Sequence, residues 1–261
     1  MIVDNKFLLP QDWLQKPLNI SLLGCSGTGS YIAQNLLMLE RALVGISGEG
    51  LGKVTLYDAK DIAAPNLART PFMPYEVGLN KAEVLAGRLN AALGYELFTP
   101  VATNITKIPV YGGSDLYITA TDSIASRQMV AQYARGCERA RSLWLDTGVN
   151  KATASCVLGE MTSNADRLPM TTDLFTRLPD KDEAAQPSCD MAQSLARQAF
   201  GVNANIAGIA VNLIAQLLME GELSYHGVLL DQRSGFTSPI QVNKEVWKSF
   251  GFTGEATEPA V

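Results

Sequence analysis

The stretch "LLGCSGTGS" sets Gly24, Gly27 and Gly29 between an apolar run and a helical pattern. A turn this bare lets backbone N–H groups approach an anion, and the positive end of the following helix faces the same space. Asp58 closes a second apolar run, Asn66, Arg69 and Lys81 follow it, and Asp122 closes a later one. In a doubly wound sheet the carboxyl ends of the strands gather such residues at one edge, where an aspartate can face ribose hydroxyls. An amide and two cations suit a triphosphate better than a dinucleotide, because arginine grips phosphate as a fork and lysine acts as a point charge. Asp122 would add Mg2+, which favours carboxylate and phosphate oxygens together.

Each of these residues also has an ordinary reading. The glycines can serve close strand–helix packing, Asp58 can cap a strand end, and Arg69 and Lys81 can be solvated charges. The loop departs from two familiar patterns. A nicotinamide fingerprint has glycine at its third position, where this chain has Ser26, and no Gly-Lys-Ser/Thr closes the loop.

Other chemistry is narrowed by composition. One histidine, His226, makes a serine–histidine triad or a multi-histidine metal site a poor fit, and it reads as a hydrogen-bonded structural residue. The cysteines Cys25, Cys137, Cys156 and Cys189 include no C-x-x-C pair, so no zinc is expected. Cys189 stands where a helical pattern resumes after a polar stretch; there the helix dipole favours a thiolate, or a small inert residue begins a buried helix. Cys25 can point into the core, Cys137 falls in a helical pattern and Cys156 in an apolar strand. A net charge of −5 without a basic face argues against nucleic acid. The N-terminus lacks a signal-peptide pattern, and the apolar run "NIAGIAVNLIAQLLME" is short for a membrane span, so a soluble, cytoplasmic protein is expected.

The elements that would position these residues alternate. Strands are expected at 18–23, 53–58, 95–103, 114–122 and 142–149, with helices from about Thr28 to Leu43, from Asn80 with Glu83 as a capping-box partner, and over 123–140. That rhythm predicts an α/β fold, a doubly wound mostly parallel sheet with helices on both faces. After Lys151 an antiparallel strand is expected at 152–159. Residues 160–188 read as a polar, mobile crossover segment, followed by helical character from Cys189 and two C-terminal strands joined by a turn at Arg233–Gly235. The stripe Ile206, Ile209, Ala210, Leu213, Leu217 is helically spaced and reads as core packing or a dimer interface. One domain, 1–261, fits better than two.

Four blocks, "LLGCSGTGS", "LYDAKDIAAPNLART", "VGLNKAEVLAGRLNA" and "LYITATDSIASR", resemble the signature blocks of the ThiF/MoeB/ubiquitin-activating enzyme family, in matching order. The "PSCD" and "SYHG…SGFTSPIQV" stretches look most like ThiF-type proteins of bacterial PRTRC gene clusters, which typically also encode a ubiquitin-like protein and a conjugating-enzyme-like protein. The resemblance implies a Rossmann-like adenylation domain. Gly24, Gly27 and Gly29 would form the nucleotide loop and Asp58 would hold the ribose. Asn66 and Arg69 would approach the phosphates, Lys81 would contact the triphosphate, and Asp122 would bind magnesium. It further implies ATP-driven activation of the C-terminal carboxylate of a small ubiquitin-like or sulfur-carrier-like protein ending in glycine. Members that form a thioester or acyl-disulfide place a cysteine near the position of Cys189, and relatives are usually homodimers.

The chain departs from the family pattern at Ser26, at Lys60 where a second acid is common, and in a long link "LVGISGEGLGK". The N-terminal segment also lacks the arginine that many relatives extend to a partner's ATP, leaving Lys6 and Lys16 as the nearby cations. Two other functions fit parts of the pattern: a nicotinamide-dependent oxidoreductase, and a non-catalytic docking scaffold for a ubiquitin-like protein.

Overall fold

The computed structural model describes all residues except 11, 12, 14, 15, 108–112, 122, 138–141, 176–197 and 255–261. The apolar runs become β3 (Ile20–Leu23), β4 (Val54–Tyr57), β5 (Phe98–Val101), β6 (Leu116–Thr119) and β7 (Leu143–Asn150). Their neighbours in the order β7-β6-β3-β4-β5 pair in parallel. Residues of alternating direction bury against opposite layers. Ile20, Leu22, Leu116, Ile118, Leu143 and Leu145 join one core with residues of α1 (Gly27–Ser47), α2 (Lys81–Leu93) and the helix over Val202–Glu220. Leu23, Tyr117 and Trp144 join a second core with Val130, Ala131 and Ala134 of α3 (Ile124–Arg135). This period of two, with both faces apolar, is what a sheet covered on both sides requires.

Beyond β7 the sheet turns antiparallel. β8 (Thr153–Glu160) folds back on β7 as a hairpin, and β10 (Tyr225–Asp231) and β11 (Phe236–Gln241) extend it. Among the described residues the order is β11-β10-β8-β7-β6-β3-β4-β5, so β5 and β11 are the rims, and each contains a proline, Pro100 and Pro239. A small antiparallel sheet joins β1 (Ile2–Val3), β2 (Lys6–Leu8) and β9 (Glu222–Leu223). Among the described residues the remaining α-helices are α4 (Thr171–Leu174), α5 (Val202–Glu220) and α6 (Lys244–Ser249).

Several local expectations change. The first helix runs one turn beyond Leu43, to Ser47, so part of the long link is helical. The rest is held by buried Glu40, whose carboxylate accepts from the Leu51 N–H at 2.5 Å and the Tyr95 hydroxyl at 2.6 Å. Asn80 caps α2 as expected, accepting from the N–H groups of Ala82 and Glu83, so Glu83 takes part through its backbone. Cys137 lies outside the helix, because α3 ends at Arg135.

Within 160–175 the polar chain is packed. Arg167 and Asp173 form a buried two-pronged ion pair, with Nη2–Oδ1 at 2.8 Å and Nε–Oδ2 at 3.2 Å, beside buried Leu168, Met170 and Leu174. The rest of the expected crossover, 176–188, lies outside the described residues.

Helix α5 is apolar and long enough by composition to cross a membrane, yet half of it is buried inside the protein. Ile206, Ala210, Leu213 and Leu217 of the apolar stripe are core residues, whereas Ile209 lines an open groove with Tyr225, Val228 and Pro239.

His226 is fully buried, its Nδ1 2.7 Å from the Leu158 carbonyl and its Nε2 accepting from the Trp247 indole N–H at 2.9 Å. Both contacts are satisfied by one neutral tautomer. Burial pushes its pKa down from 6.5 to about 4. The unfolded chain therefore takes up a proton, as pH falls below 6.5, that the folded chain refuses. His226 costs no stability at neutral pH, and its destabilising effect grows as pH falls towards 4. Comparing urea unfolding of the wild type and His226→Gln, the stability gap should narrow by about 2 kcal/mol between pH 7 and pH 5. A gap independent of pH would contradict the neutral assignment.

Candidate active site

The strand order reverses between β3 and β6, so a crevice opens at their carboxyl ends. The glycine loop leaves β3 there. Gly24 adopts φ +95°, and a Cβ on it would lie 2.7 Å from the Ala120 carbonyl oxygen just past β6. A Cβ on Gly29 would fall 1.9 Å from the Gly24 carbonyl oxygen, so the loop folds tightly over the first turn of α1. Gly27 has a different reason: a Cβ there would press on the Asn203 side chain, 2.9 Å from Oδ1. The glycines thus satisfy both readings, packing the loop and baring its backbone.

Helix α1 begins at Gly27 with Ser26 as its N-cap residue, and Ser26 makes no side-chain cap bond. The first helical repeat bond is from the Ser30 N–H to the Ser26 carbonyl at 2.8 Å. The N–H groups ahead of it at the helix start cannot be satisfied within the helix, and they carry the positive end of a long dipole.

Asp58 sits one residue past β4 and is buried. Its Oδ2 accepts from the Cys25 N–H and its Oδ1 from the Lys60 N–H, each at 2.8 Å. The aspartate therefore fixes the glycine loop, and both oxygens keep further lone pairs for a ligand. Asn80 ties α2 to the same place by donating to the Asp58 carbonyl at 3.0 Å.

Lys81 opens α2, is buried, and donates from Nζ to the Asp61 carbonyl. Burial lowers its pKa, and the nearby Asp58 charge opposes that shift. Asn66 lies in the 3-10 turn Ala64–Ala68, where its Oδ1 accepts from the Ala63 N–H at 2.9 Å. Arg69 follows that turn and donates from Nη1 to Gln198 Oε1 at 2.5 Å.

The structure thus brings Gly24, Gly27, Gly29, Asp58 and Lys81 together, and a side-chain chain through Gln198 and Asn203 joins Arg69 to them. Asp122 and Cys189 lie outside the described residues. Among the described residues no group of three or more His, Cys, Asp or Glu side chains is placed to hold a metal ion. Cys25 points into the core, where burial pushes its thiol well above the usual range. Cys156 is also buried, its thiol pushed up to about 12.

The two N-terminal lysines are occupied elsewhere. Lys6 pairs with Glu222 and Lys16 with Asp115, each at 2.5 Å. Asp115 precedes β6, which places the Lys16 pair at the amino edge of the sheet, opposite the crevice.

The ThiF family profile matches residues 10–244. The chain belongs to the ThiF family. Among relatives of this ThiF-family chain, ubiquitin-like modifier-activating enzyme 5 of Arabidopsis thaliana is 27% identical over 159 residues, covering 54% of this chain and 34% of that protein. The same enzyme of Rattus norvegicus is 25% identical over 228 residues, covering 79% of this chain and 51% of that protein. The chain thus spans between a third and about half of these relatives' length.

Among solved structures, E. coli MccB with ATP superposes with a TM-score of 0.61 at 17% identity, over 89% of this chain and 66% of that one. MccB with MccA-N7isoASN gives 0.63 at 17% identity, with the same coverage. These likenesses establish the α/β fold with its mostly parallel sheet and antiparallel extension.

Sequence reading passed over four polar residues near the ThiF-type crevice. Gln198 holds Arg69, and Asn203 in turn donates to Gln198. Asp146, buried on β7, accepts from the Arg127 Nε–H at 2.8 Å and from the Thr119 hydroxyl at 2.5 Å. Arg127 also donates to the Thr147 carbonyl at 2.7 Å, which ties α3 to the middle of β7 beside the end of β6. An aspartate inside the apolar run "LWLDTGV" is the one signal that pointed there.

Proposed function

We propose that this chain activates the C-terminal carboxylate of a small ubiquitin-like or sulfur-carrier-like protein by ATP-dependent adenylation. The observation that carries the reading is the convergence at one crevice of an uncapped helix N-terminus, the Asp58 carboxylate and the cations Lys81 and Arg69. Membership of the ThiF family supports it. In this reaction a carboxylate oxygen attacks the α-phosphorus of ATP, the bond to the bridging oxygen breaks, and pyrophosphate leaves with that electron pair. An acyl-adenylate remains.

Carboxylate and triphosphate repel one another, so the residues must lower that repulsion. The N–H groups at the start of α1 and the Arg69 and Lys81 cations supply positive charge that needs no reorganisation. Asp58 would orient the ribose from the position where it already fixes the loop. Magnesium, when bound, would neutralise phosphate charge; its expected ligand, Asp122, lies outside the described residues.

The reading extends to transfer of the acyl group to the Cys189 thiolate, with release of AMP and formation of a thioester. Its support is the position of Cys189 after the expected crossover segment. A homodimer is a further part of the reading, supported by the apolar groove beside Ile209.

The reaction is tested by incubating the chain with ATP, Mg2+ and each small protein encoded beside it, then reading intact masses. A gain of AMP on a C-terminal glycine is the expected result. No mass gain on any of them, with ATP bound, would favour a docking scaffold. Tighter binding of NADH than of ATP would favour hydride chemistry.

The Cys189 step is tested by trapping. A thiol-sensitive adduct should vanish in Cys189→Ala while adenylation persists, and an adduct that survives would place the nucleophile elsewhere.

A further inference from the structure

Two side chains between Arg69 and α1, Gln198 and Asn203, have their orientations dictated one after the other. Arginine has only donors, so Gln198 must face Arg69 with its oxygen. The same oxygen accepts from Asn203 Nδ2 at 3.1 Å, so Asn203 faces Gln198 with its nitrogen. Asn203 Oδ1 is then turned to the first turn of α1, where it accepts from the Thr28 hydroxyl at 3.0 Å. The bare α-carbon of Gly27 makes the room this amide occupies. The segment carrying Gln198 is itself anchored, with the Ala199 N–H donating to the Lys151 carbonyl at 2.7 Å and Gln232 donating to the Phe200 carbonyl at 2.5 Å.

We infer that Gln198 and Asn203 are positioning residues that aim the Arg69 guanidinium at the anion held by the N-terminus of α1, an inference that rests on the adenylation reading above. Asn203 is buried at the start of α5 and reads the α1 end of the chain of contacts. Gln198 reads the arginine end. The chemistry also explains the choice of an amide. A neutral carbonyl holds the fork in place and adds no negative charge of its own beside the nucleotide. A carboxylate at the same point would pair with Arg69 and compete with the nucleotide.

Binding of ATP with Mg2+ to the full chain, measured by calorimetry alongside thermal melting, tests this without any carrier protein. Gln198→Met removes the acceptor and should weaken binding several-fold. Gln198→Glu should weaken it by roughly ten-fold or more, with a melting temperature equal to or above that of the wild type. A residue that merely supported the fold would lose affinity and melting temperature together, and that outcome would overturn the inference. Asn203→Asp gives a second route. It sets two acceptors against each other, so Gln198 must turn its amide nitrogen towards Arg69, and affinity should fall with the shape of the site kept. Arg69→Ala separates the failures. If it weakens binding while the Gln198 and Asn203 variants stay within about two-fold of wild type, the positioning role is wrong and the adenylation reading stands. If Arg69→Ala has no effect, the reading itself is wrong.

Discussion

Replacing Arg69 by alanine should cut carrier-dependent exchange of pyrophosphate into ATP by about 10²- to 10³-fold, the range seen when one preorganised charge-stabilising group is removed from an active site. The guanidinium is half-buried and held by Gln198 at 2.5 Å, so its geometry is set before a ligand arrives. Lys81→Ala should act in the same direction. Its ammonium is buried at the start of α2, where burial lowers its pKa and the Asp58 charge opposes that shift. Neither change should unfold the protein, because neither side chain belongs to the two apolar cores. Exchange at the wild-type rate in both variants would remove the triphosphate from this crevice.

The second large effect is on stability. Gly29→Ala would drive a Cβ to within 1.9 Å of the Gly24 carbonyl oxygen. The atom it meets is backbone, so no side chain can swing aside. The loop must move away from α1, or α1 from β3. The expected loss is roughly 4 kcal/mol or more, a large part of the stability of an ordinary domain, with nucleotide binding lost as well. Gly87→Ala is the contrasting substitution. Gly87 lies inside α2 with nothing within 4 Å of its would-be Cβ. Alanine there should stabilise by about 0.5–1 kcal/mol. Denaturant unfolding of the two variants should therefore shift in opposite directions. A tolerated Gly29→Ala would mean that the loop does not fold over α1 as described.

The frame of the site was legible in the sequence because it depends on local periodicity. The apolar runs at Ile20–Leu23 and Val54–Tyr57, the small-residue turn after the first and the aspartate after the second are each visible within a few residues. The network that holds Arg69 was not. Gln198 lies 129 residues from Arg69, and Asn203 lies 175 from Thr28. Neither belongs to a periodic pattern, and a glutamine or asparagine in sequence reads as surface.

The same limit explains the 160–175 stretch. Its polarity suggested a loose segment, yet Arg167 and Asp173 satisfy one another, and Arg167 also donates to the Asn164 carbonyl at 2.7 Å. Composition counts charges and cannot show that two of them cancel. His226 was read correctly as structural, while its partner Trp247, in a short C-terminal helix, gave no sequence signal.

The prolines at the two rims bear on how anything can attach to this sheet. Along β5, the Leu97 carbonyl just before the strand and the Val101 carbonyl at its end accept from the Val54 and Asp58 N–H groups, so Pro100, out of phase with both, turns its nitrogen outward. Pro239, paired opposite Val228, cannot donate into the ladder either. A guest strand laid along either border would meet a gap in the row of donors it needs. Growth of the sheet by edge-to-edge pairing of copies, or capture of a peptide as an added strand, is disfavoured at both borders by the backbone itself.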